Sequence, residues 1–292
     1  MDFLRPQNLD EALAAKARRP DAVPIAGGTD VMVELNFDRR RPTALLDLGG
    51  VTDLAGWSAA GSRIRLGATV SYTRVISELG AVLPALAIAS RTVGSVQIRN
   101  RGTVGGNLGS ASPAGDTHPV LLVSGAEVEV ASVRGTRLIP AEEFYLGVKR
   151  NALAEDELIT AVHLPVATGP QQFAKVGTRN AMVIAVCSFA LALSPGRVKA
   201  AIGSAAPTPL RAYEAEEFLA AELPWGAPPD APLDAAVARR FGELVAAAAT
   251  PIDDVRGTAA YRGHALSVLA RRTLGWVWRD HLDGKGRDGA CA

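Results

Sequence analysis

With 48% hydrophobic and 21% charged residues, a chain of 292 residues has the profile of an ordinary globular protein, long enough to bury two cores. A net charge of +1 with Lys and Arg scattered gives no electrostatic reason to expect nucleic acid or an anionic membrane as partner. Its two cysteines, Cys187 and Cys291, are too few and too far apart to ligate an iron–sulfur cluster within this chain.

In chain order, "MDFLRPQNLDEAL" lacks the basic-then-apolar order of a signal peptide, so a cytoplasmic location is expected. "NLDEALAAKAR" (8–18) reads as a helix capped by Asn8 with acids in its first turn, and "AVPIA" (22–26) as a short buried strand running into "GGTDV". "TALLDLG" (43–49) and "RIRLGATVS" (63–71) have strand character, the second alternating. "YTRVISEL" and "VLPALAIASRT" suit helices, Pro84 being tolerable in a first turn. Residues 99–119, "RNRGTVGGNLGSASPAGDTHP", hold five glycines and two prolines between apolar segments and read as a long loop. "ELITAVHLP" (157–165) reads as a strand and residues 166–172 as a linker. "FAKVGTR", "MVIAVCSFALAL" and "RVKAAIGSAA" read as three successive strands, followed by three segments with Ala, Leu and Val at helical spacing. The apolar run 181–193 is too short to span a bilayer. Strands followed by helices without strict alternation indicate an α+β fold, and the tail 280–292 is expected to be disordered.

Chemistry concentrates in two glycine segments. There is no Walker A loop, no GxGxxG fingerprint and no HExxH, and His118, His163, His264 and His281 are far apart, so no metal site is expected. "AGGTDVMVEL" (26–35) sets Gly27 and Gly28 at the end of a buried strand; glycine there allows positive φ and lets a ligand lie on the backbone, where converging N–H groups hold phosphate. As a plain strand-to-helix turn, the same pair would carry no function. Thr103, Gly105, Gly106 and Asn107 offer N–H groups, a hydroxyl and an amide, with Ser110, Ser112 and Asp116 close behind. An ionised Asp116 only accepts, which suits sugar hydroxyls better than phosphate. Long structureless loops in compact domains are usually functional, and two of them suit an extended, phosphate-bearing ligand such as a dinucleotide. No nucleophile–base pair or acid–base dyad is apparent, so no catalytic residue is assigned.

"AGGTDVMVEL", "VGSVQIRNRGTVGGNLGSASPAGDTHPVLL", "ELITAVHLP" and "DDVRGTAAYRGHALSVLARR", in this order, resemble the FAD-binding medium subunits of molybdenum hydroxylases, the family of the carbon monoxide dehydrogenase and xanthine dehydrogenase flavoproteins. The resemblance spans residues 3 to 278. It implies a PCMH/vanillyl-alcohol-oxidase-type FAD-binding domain at 1–168, made of two α/β subdomains (1–55 and 56–168). A C-terminal domain at 173–279, with an antiparallel three-stranded sheet and helices, would follow. Carried over by position, Pro24, Ile25, Ala26, Gly27, Gly28, Thr29, Asp30 and Val31 would wrap the pyrophosphate and ribose of FAD. Gly102, Thr103, Gly105, Gly106 and Asn107 would line the flavin and ribityl region, with Ser112 and Asp116 binding polar groups nearby. Ile159 would pack near the cofactor, and Lys175 would lie at the flavin edge, where a cation stabilises the charge of reduced flavin. Val93 stands where some relatives carry an aromatic beside the ring, so stacking is weaker here or supplied elsewhere. His118 is the nearby candidate for a covalent link, but FAD is expected to be held non-covalently.

The resemblance further implies a small subunit with two [2Fe–2S] clusters and a large molybdopterin subunit as partners, assembled as a dimer of heterotrimers. The electron acceptor (NAD⁺, a quinone, oxygen or another carrier) and the organic substrate are not specified by this chain. A self-contained flavin oxidase of the same superfold is the alternative, and it would need a substrate cavity with its own base. Arg256, Tyr261 and Arg262 in the C-terminal signature read as structural or interfacial, and Phe173, Trp276 and Trp278 as core or interface residues.

Overall fold

The computed structural model describes residues 1–228 and 231–284. Strands β1 (Asp2–Leu4), β2 (Val23–Ile25) and β3 (Ala44–Asp47) form a parallel sheet in the order β1–β3–β2. Helix α1 (Leu9–Arg18) links the first two strands. Asn8 caps it, its side-chain oxygen accepting the Glu11 amide at 2.9 Å, with Asp10 and Glu11 in the first turn, so side chain and helix dipole agree on where it starts. Helix α1 buries Ala12, Leu13 and Ala15 in one cluster with Leu46, Leu54 and Leu158. Helix α2 (Val31–Asn36), after the first glycine segment, buries none of its residues.

A second layer follows from β4 (Trp57–Ala60) and β5 (Arg63–Gly67). Then come α3 (Tyr72–Glu78), α4 (Pro84–Thr92), α5 (Val96–Arg101), α6 (Val104–Ser110) and α7 (His118–Ser124). Strands β6 (Glu127–Ser132) and β7 (Gly135–Pro140), the short α8 (Ala141–Phe144), the hairpin β8 (Tyr145–Gly147) and β9 (Arg150–Asn151), and β10 (Leu158–Pro165) complete it. The antiparallel sheet runs β4–β5–β10–β6–β7. Central β10 is buried on both faces: Leu158 joins the α1 cluster, while Ile159, Val162 and Leu164 pack with Leu86, Leu108 and Leu121. That strand takes part in both clusters.

The C-terminal unit is an antiparallel sheet of β11 (Gln171–Val176), β12 (Cys187–Ser194), β13 (Arg197–Gly203) and the two-residue β14 (Leu210–Arg211). Helices α9 (Tyr213–Glu222), α10 (Ala235–Ala248) and α11 (Ala259–Leu282) cover one face. The period-two pattern of β12 separates two cores: Phe189, Leu191 and Leu193 pack with Phe241, Leu266 and Trp278, while Ala190 faces the cluster that includes Leu86, Leu108 and Leu121. Phe173 and Trp278 are buried, whereas Trp276 is part-exposed.

The α+β architecture matches the sequence reading, with four corrections of detail. The expected three-stranded sheet has a short fourth strand, β14. The strand expected from residue 182 begins only at Cys187, because Met182 takes a left-handed conformation (φ 50°) and Val183 folds against Gly177. Residues 99–119 are not a loop: they contain the end of α5, all of α6 and the start of α7. Ser95 and Thr103 cap α5 and α6, and packing on Ala68 and Tyr72 overrides the low helix propensity of glycine. Finally, α11 runs to Leu282, past the expected boundary at 279, and residues 285–292 of the expected tail lie outside the described residues. Among the described residues, no helix is long and apolar enough to cross a membrane.

Candidate cofactor site

The first glycine segment leaves β2 at Ile25. Gly28 has φ +75°, a region L side chains avoid, and the chain turns there into α2, the Met32 amide meeting the Gly28 carbonyl at 3.0 Å. Gly27 is required for a different reason. A β-carbon there would overlap the carbonyl of Arg101 and come within 3.0 Å of the Gly102 nitrogen. The two glycine segments therefore lie directly against one another. Ile25, Ala26, Gly27, Gly28, Thr29 and Val31 are half-buried, while Pro24 and Asp30 are exposed.

The second segment starts at Gly102, whose carbonyl accepts the Tyr72 amide at 2.9 Å. The buried Thr103 caps α6, its hydroxyl oxygen accepting the Gly106 amide at 2.8 Å. The two adjacent glycines then separate in role. At Gly105 a β-carbon would lie 2.5 Å from the carbonyl oxygen and 2.7 Å from the β-carbon of Ala68, so this glycine serves internal packing. At Gly106 only the Thr103 hydroxyl lies near, at 3.1 Å, and the residue is exposed. Nothing in the packing of the described residues requires glycine there. Gly109, one turn on, is also exposed, with Ile159 Cδ1 at 4.0 Å from where its β-carbon would be.

Helix α6 ends at Ala111 (φ 42°) and opens into a loop in which Ser112 accepts the Ala114 amide on Oγ at 3.4 Å and the Gly115 amide on its carbonyl at 2.9 Å. Asn107 Oδ1 accepts from Thr117 at 2.6 Å, tying the helix to this loop. Asp116 is buried; its Oδ2 accepts from Lys175 Nζ at 2.6 Å and from Thr92 Oγ1 at 3.0 Å, while its Oδ1 has no partner among the described residues. Burial pushes the Asp116 carboxyl above its ordinary range, against the opposing pull of Lys175 and Thr92. The Lys175 ammonium also donates to the carbonyls of Thr92 (2.9 Å) and Val183 (3.1 Å), so its three protons are engaged. Val93 follows Thr92 directly, its carbonyl accepting from Arg99 at 3.2 Å.

The expected site residues thus form one contiguous set. Gly27 meets Gly102, Thr103 meets Gly106, Asn107 reaches the 112–117 loop, and Asp116 meets Lys175 beside Val93. Ile159 lies next to Gly109. Sequence reasoning missed Thr92, Tyr72 and Thr117, whose ordinary helix-end and loop contexts gave no signal. His118 is fully buried, its Nδ1 2.9 Å from the Tyr145 hydroxyl. Burial drops its pKa to about 3, so the ring is neutral. A β-carbon at Gly115 would collide with the other ring nitrogen, which closes His118 off from a ligand on the loop's outer side. The free faces of Gly106 and Gly109, the orphaned Asp116 oxygen and the exposed Met32 and Val33 of α2 fit an extended ligand carrying both phosphates and hydroxyls.

Comparison with known proteins agrees with that fit. Residues 1–167 match the family model described as the FAD binding domain in molybdopterin dehydrogenase, and residues 172–277 match the CO dehydrogenase flavoprotein C-terminal domain. The carbon monoxide dehydrogenase medium chain of Afipia carboxidovorans is 32% identical, over 94% of this chain and 95% of that protein. The xanthine dehydrogenase FAD-binding subunit of Escherichia coli O157:H7 is 29% identical, over 93% and 94%. A solved structure of reconstituted CO dehydrogenase from Oligotropha carboxidovorans contains a chain that superposes with a TM-score of 0.86 at 28% identity, over 95% of this chain and 97% of that one.

Proposed function

The chain belongs to the FAD-binding flavoprotein family of the molybdopterin dehydrogenases, and on that premise we propose that it is the electron-transfer subunit of a heterotrimeric molybdenum hydroxylase. It takes electrons from [2Fe–2S] clusters in a small partner subunit, themselves supplied by a large molybdopterin subunit that hydroxylates the substrate, and passes them to an external acceptor. An oxidoreductase component with FAD as its cofactor follows from the family. The partner identities, a dimer-of-heterotrimers assembly and a cytoplasmic location belong to the proposal.

The observation that carries the assignment of the site is the contrast at Gly105 and Gly106. One glycine is explained by internal packing and the other is not, as expected where a ligand lies on bare backbone. FAD, when bound, supplies two-electron acceptance and one-electron release. The chain's own residues would hold it as follows. The amides around Gly27, Gly28 and Thr29 suit the pyrophosphate, with Pro24, Ile25, Ala26, Asp30 and Val31 framing them. Thr103 keeps its hydroxyl proton for donation, because its oxygen already accepts the Gly106 amide. Gly106 and Asn107 line the flavin and ribityl portion on backbone that Gly102 and Gly105 set in place behind them, and Ser112 and the unpartnered Oδ1 of Asp116 take polar groups, a hydroxyl donor suiting the latter. Val93 and Ile159 supply apolar contact. Lys175, fixed by its three bonds, holds a positive charge in place where it favours electron-rich flavin. The inaccessible, neutral His118 supports non-covalent binding.

The test is to titrate the purified chain with FAD and assay it with organic substrates. One equivalent of FAD bound with no substrate turnover by the chain alone supports the reading. A chain that ignores FAD, or that oxidises an organic substrate unaided, refutes it.

A further inference from the structure

The C-terminal signature "DDVRGTAAYR" has no role in the site so far, yet it contains Arg262, a cation only 2% exposed. Arg262 Nη1 donates to the carbonyls of Val186 (2.7 Å) and Ser204 (2.5 Å), and Nη2 donates to Asp254 Oδ1 (2.6 Å). Asp254 is itself fixed by a tight turn in which its backbone amide and that of Gly257 each meet the other's carbonyl at 3.2 Å, and by Arg256, which reaches its carboxylate with backbone amide and guanidinium.

Both carbonyls that Arg262 holds lead to the cofactor loop. Ser204 is in the left-handed region (φ 61°), and its amide donates at 2.9 Å to the carbonyl of Pro113, in the middle of the Ser112–Asp116 loop. The Ser204 hydroxyl donates to the Ala185 carbonyl at 2.6 Å. Val186 donates its amide at 2.7 Å to Val176, the neighbour of Lys175, whose ammonium sits on Asp116. The seam is close-packed: a β-carbon at Gly203 would lie 2.7 Å from Pro119 Cγ. One planar guanidinium therefore holds two segments, at Ser204 and at Val186, that lead to the loop. An ammonium of shorter reach does not match that fork.

We propose, on the reading that Asp116 and Lys175 belong to the FAD site, that Arg262 is a positioning residue for FAD: through Ser204 and Val186 it sets the 112–116 loop and Lys175, which makes the C-terminal unit part of the binding site. Without the guanidinium, the buried Val186 and Ser204 carbonyls lose this donor and the Asp254 carboxylate keeps only its bonds from Arg256, and the loop loses its outer support.

The test uses the full chain with Arg262→Met, Arg262→Lys and the milder Asp254→Asn, measuring FAD Kd, the visible spectrum and reduction potential of bound flavin, and the melting temperature without FAD. Arg262→Met is expected to weaken FAD about tenfold, within the range of coupling effects of this kind. It should also make the potential more negative, because Lys175 is released from its position. Combined with Lys175→Met the two losses should be less than additive, since the Val186 route acts through Lys175 while the Ser204 route to the loop does not. Arg256→Ala, which removes the more exposed guanidinium from the same carboxylate, should change Kd less than about twofold. Variants that melt lower yet keep wild-type Kd, spectrum and potential would overturn the proposal, as would full additivity with Lys175→Met. If Arg262→Met does not fold, Asp254→Asn decides on the same readouts. A wild-type chain that binds no FAD would instead strike the site reading on which this rests.

Discussion

Placing a methyl group at each of the two adjacent glycines separates folding from cofactor binding. In Gly105→Ala the new carbon would sit 2.5 Å from the Ala68 oxygen and 2.7 Å from its β-carbon. Both neighbours belong to the segment just after β5, where the Ala68 amide bonds the Thr160 carbonyl, so the helix must move. Overpacking of this kind costs about 1–3 kcal/mol, which lowers the melting temperature by about 2–4 °C per kcal/mol for a chain of this size. In Gly106→Ala the methyl meets only the Thr103 hydroxyl at 3.1 Å. Replacing a helical glycine by alanine gains about 0.5–1 kcal/mol, so the FAD-free protein should melt no lower than wild type. The same methyl intrudes on the surface assigned to FAD and should weaken binding by about 1–3 kcal/mol, a factor of about 5 to 150; Gly106→Val, larger and β-branched, should abolish binding while the C-terminal unit still folds. Calorimetry without FAD and fluorescence titration with FAD read the two effects separately. If Gly106→Ala bound FAD like wild type, or Gly105→Ala melted like wild type, the division of labour argued for these glycines would be wrong.

Other consequences follow from the same geometry. Thr103→Ala should lose about 1 kcal/mol as a helix cap and bind FAD more weakly, with Thr103→Ser restoring most of both in paired melting and titration experiments. Lys175→Met leaves a buried carboxylate unpaired and should cost about 3–5 kcal/mol near neutrality. Without Lys175 the folded-state pKa of Asp116 lies above its unfolded value, so stability is retained at low pH and lost as pH rises through the folded pKa; denaturation across pH should show the cost of Lys175→Met shrinking in acid. Glu129 opposes this trend. Burial disfavours its charge, but bonds from Arg65, His163 and Thr160 outweigh that and hold its pKa at about 2. Its contribution is therefore full above about pH 4.5 and lost as pH falls toward 2, and Glu129→Gln should flatten that part of the stability curve. Acid precipitation should release all yellow chromophore into the supernatant, and colour retained in the pellet would contradict non-covalent binding.

Local signals in the sequence were reliable where side chain and backbone told the same story. Asn8 before two acids, Pro84 at a helix start and the alternation of β5 each fixed an element from residues a few positions apart. The 99–119 segment misled because five glycines lower helix propensity, whereas the helices there are held by Ser95 and Thr103 caps and by contact with Ala68 and Tyr72, which are distant in sequence. The site residues themselves came from motif resemblance. Their physical connection did not, because it runs through pairs such as Asp116 with Lys175, 59 positions apart, and through Thr92, an unremarkable residue at the end of α4. The separate duties of Gly105 and Gly106 were equally hidden: the letters are identical, and only the position of Ala68 tells them apart.

The measurement that bears most directly on the central claim is to purify the affinity-tagged chain from its native host under mild conditions and determine what accompanies it. The account predicts FAD, iron and molybdenum in fixed proportion, together with two further polypeptides, one small and one large. A lone chain that carries FAD but neither metal, and that turns over an organic substrate by itself, would contradict it.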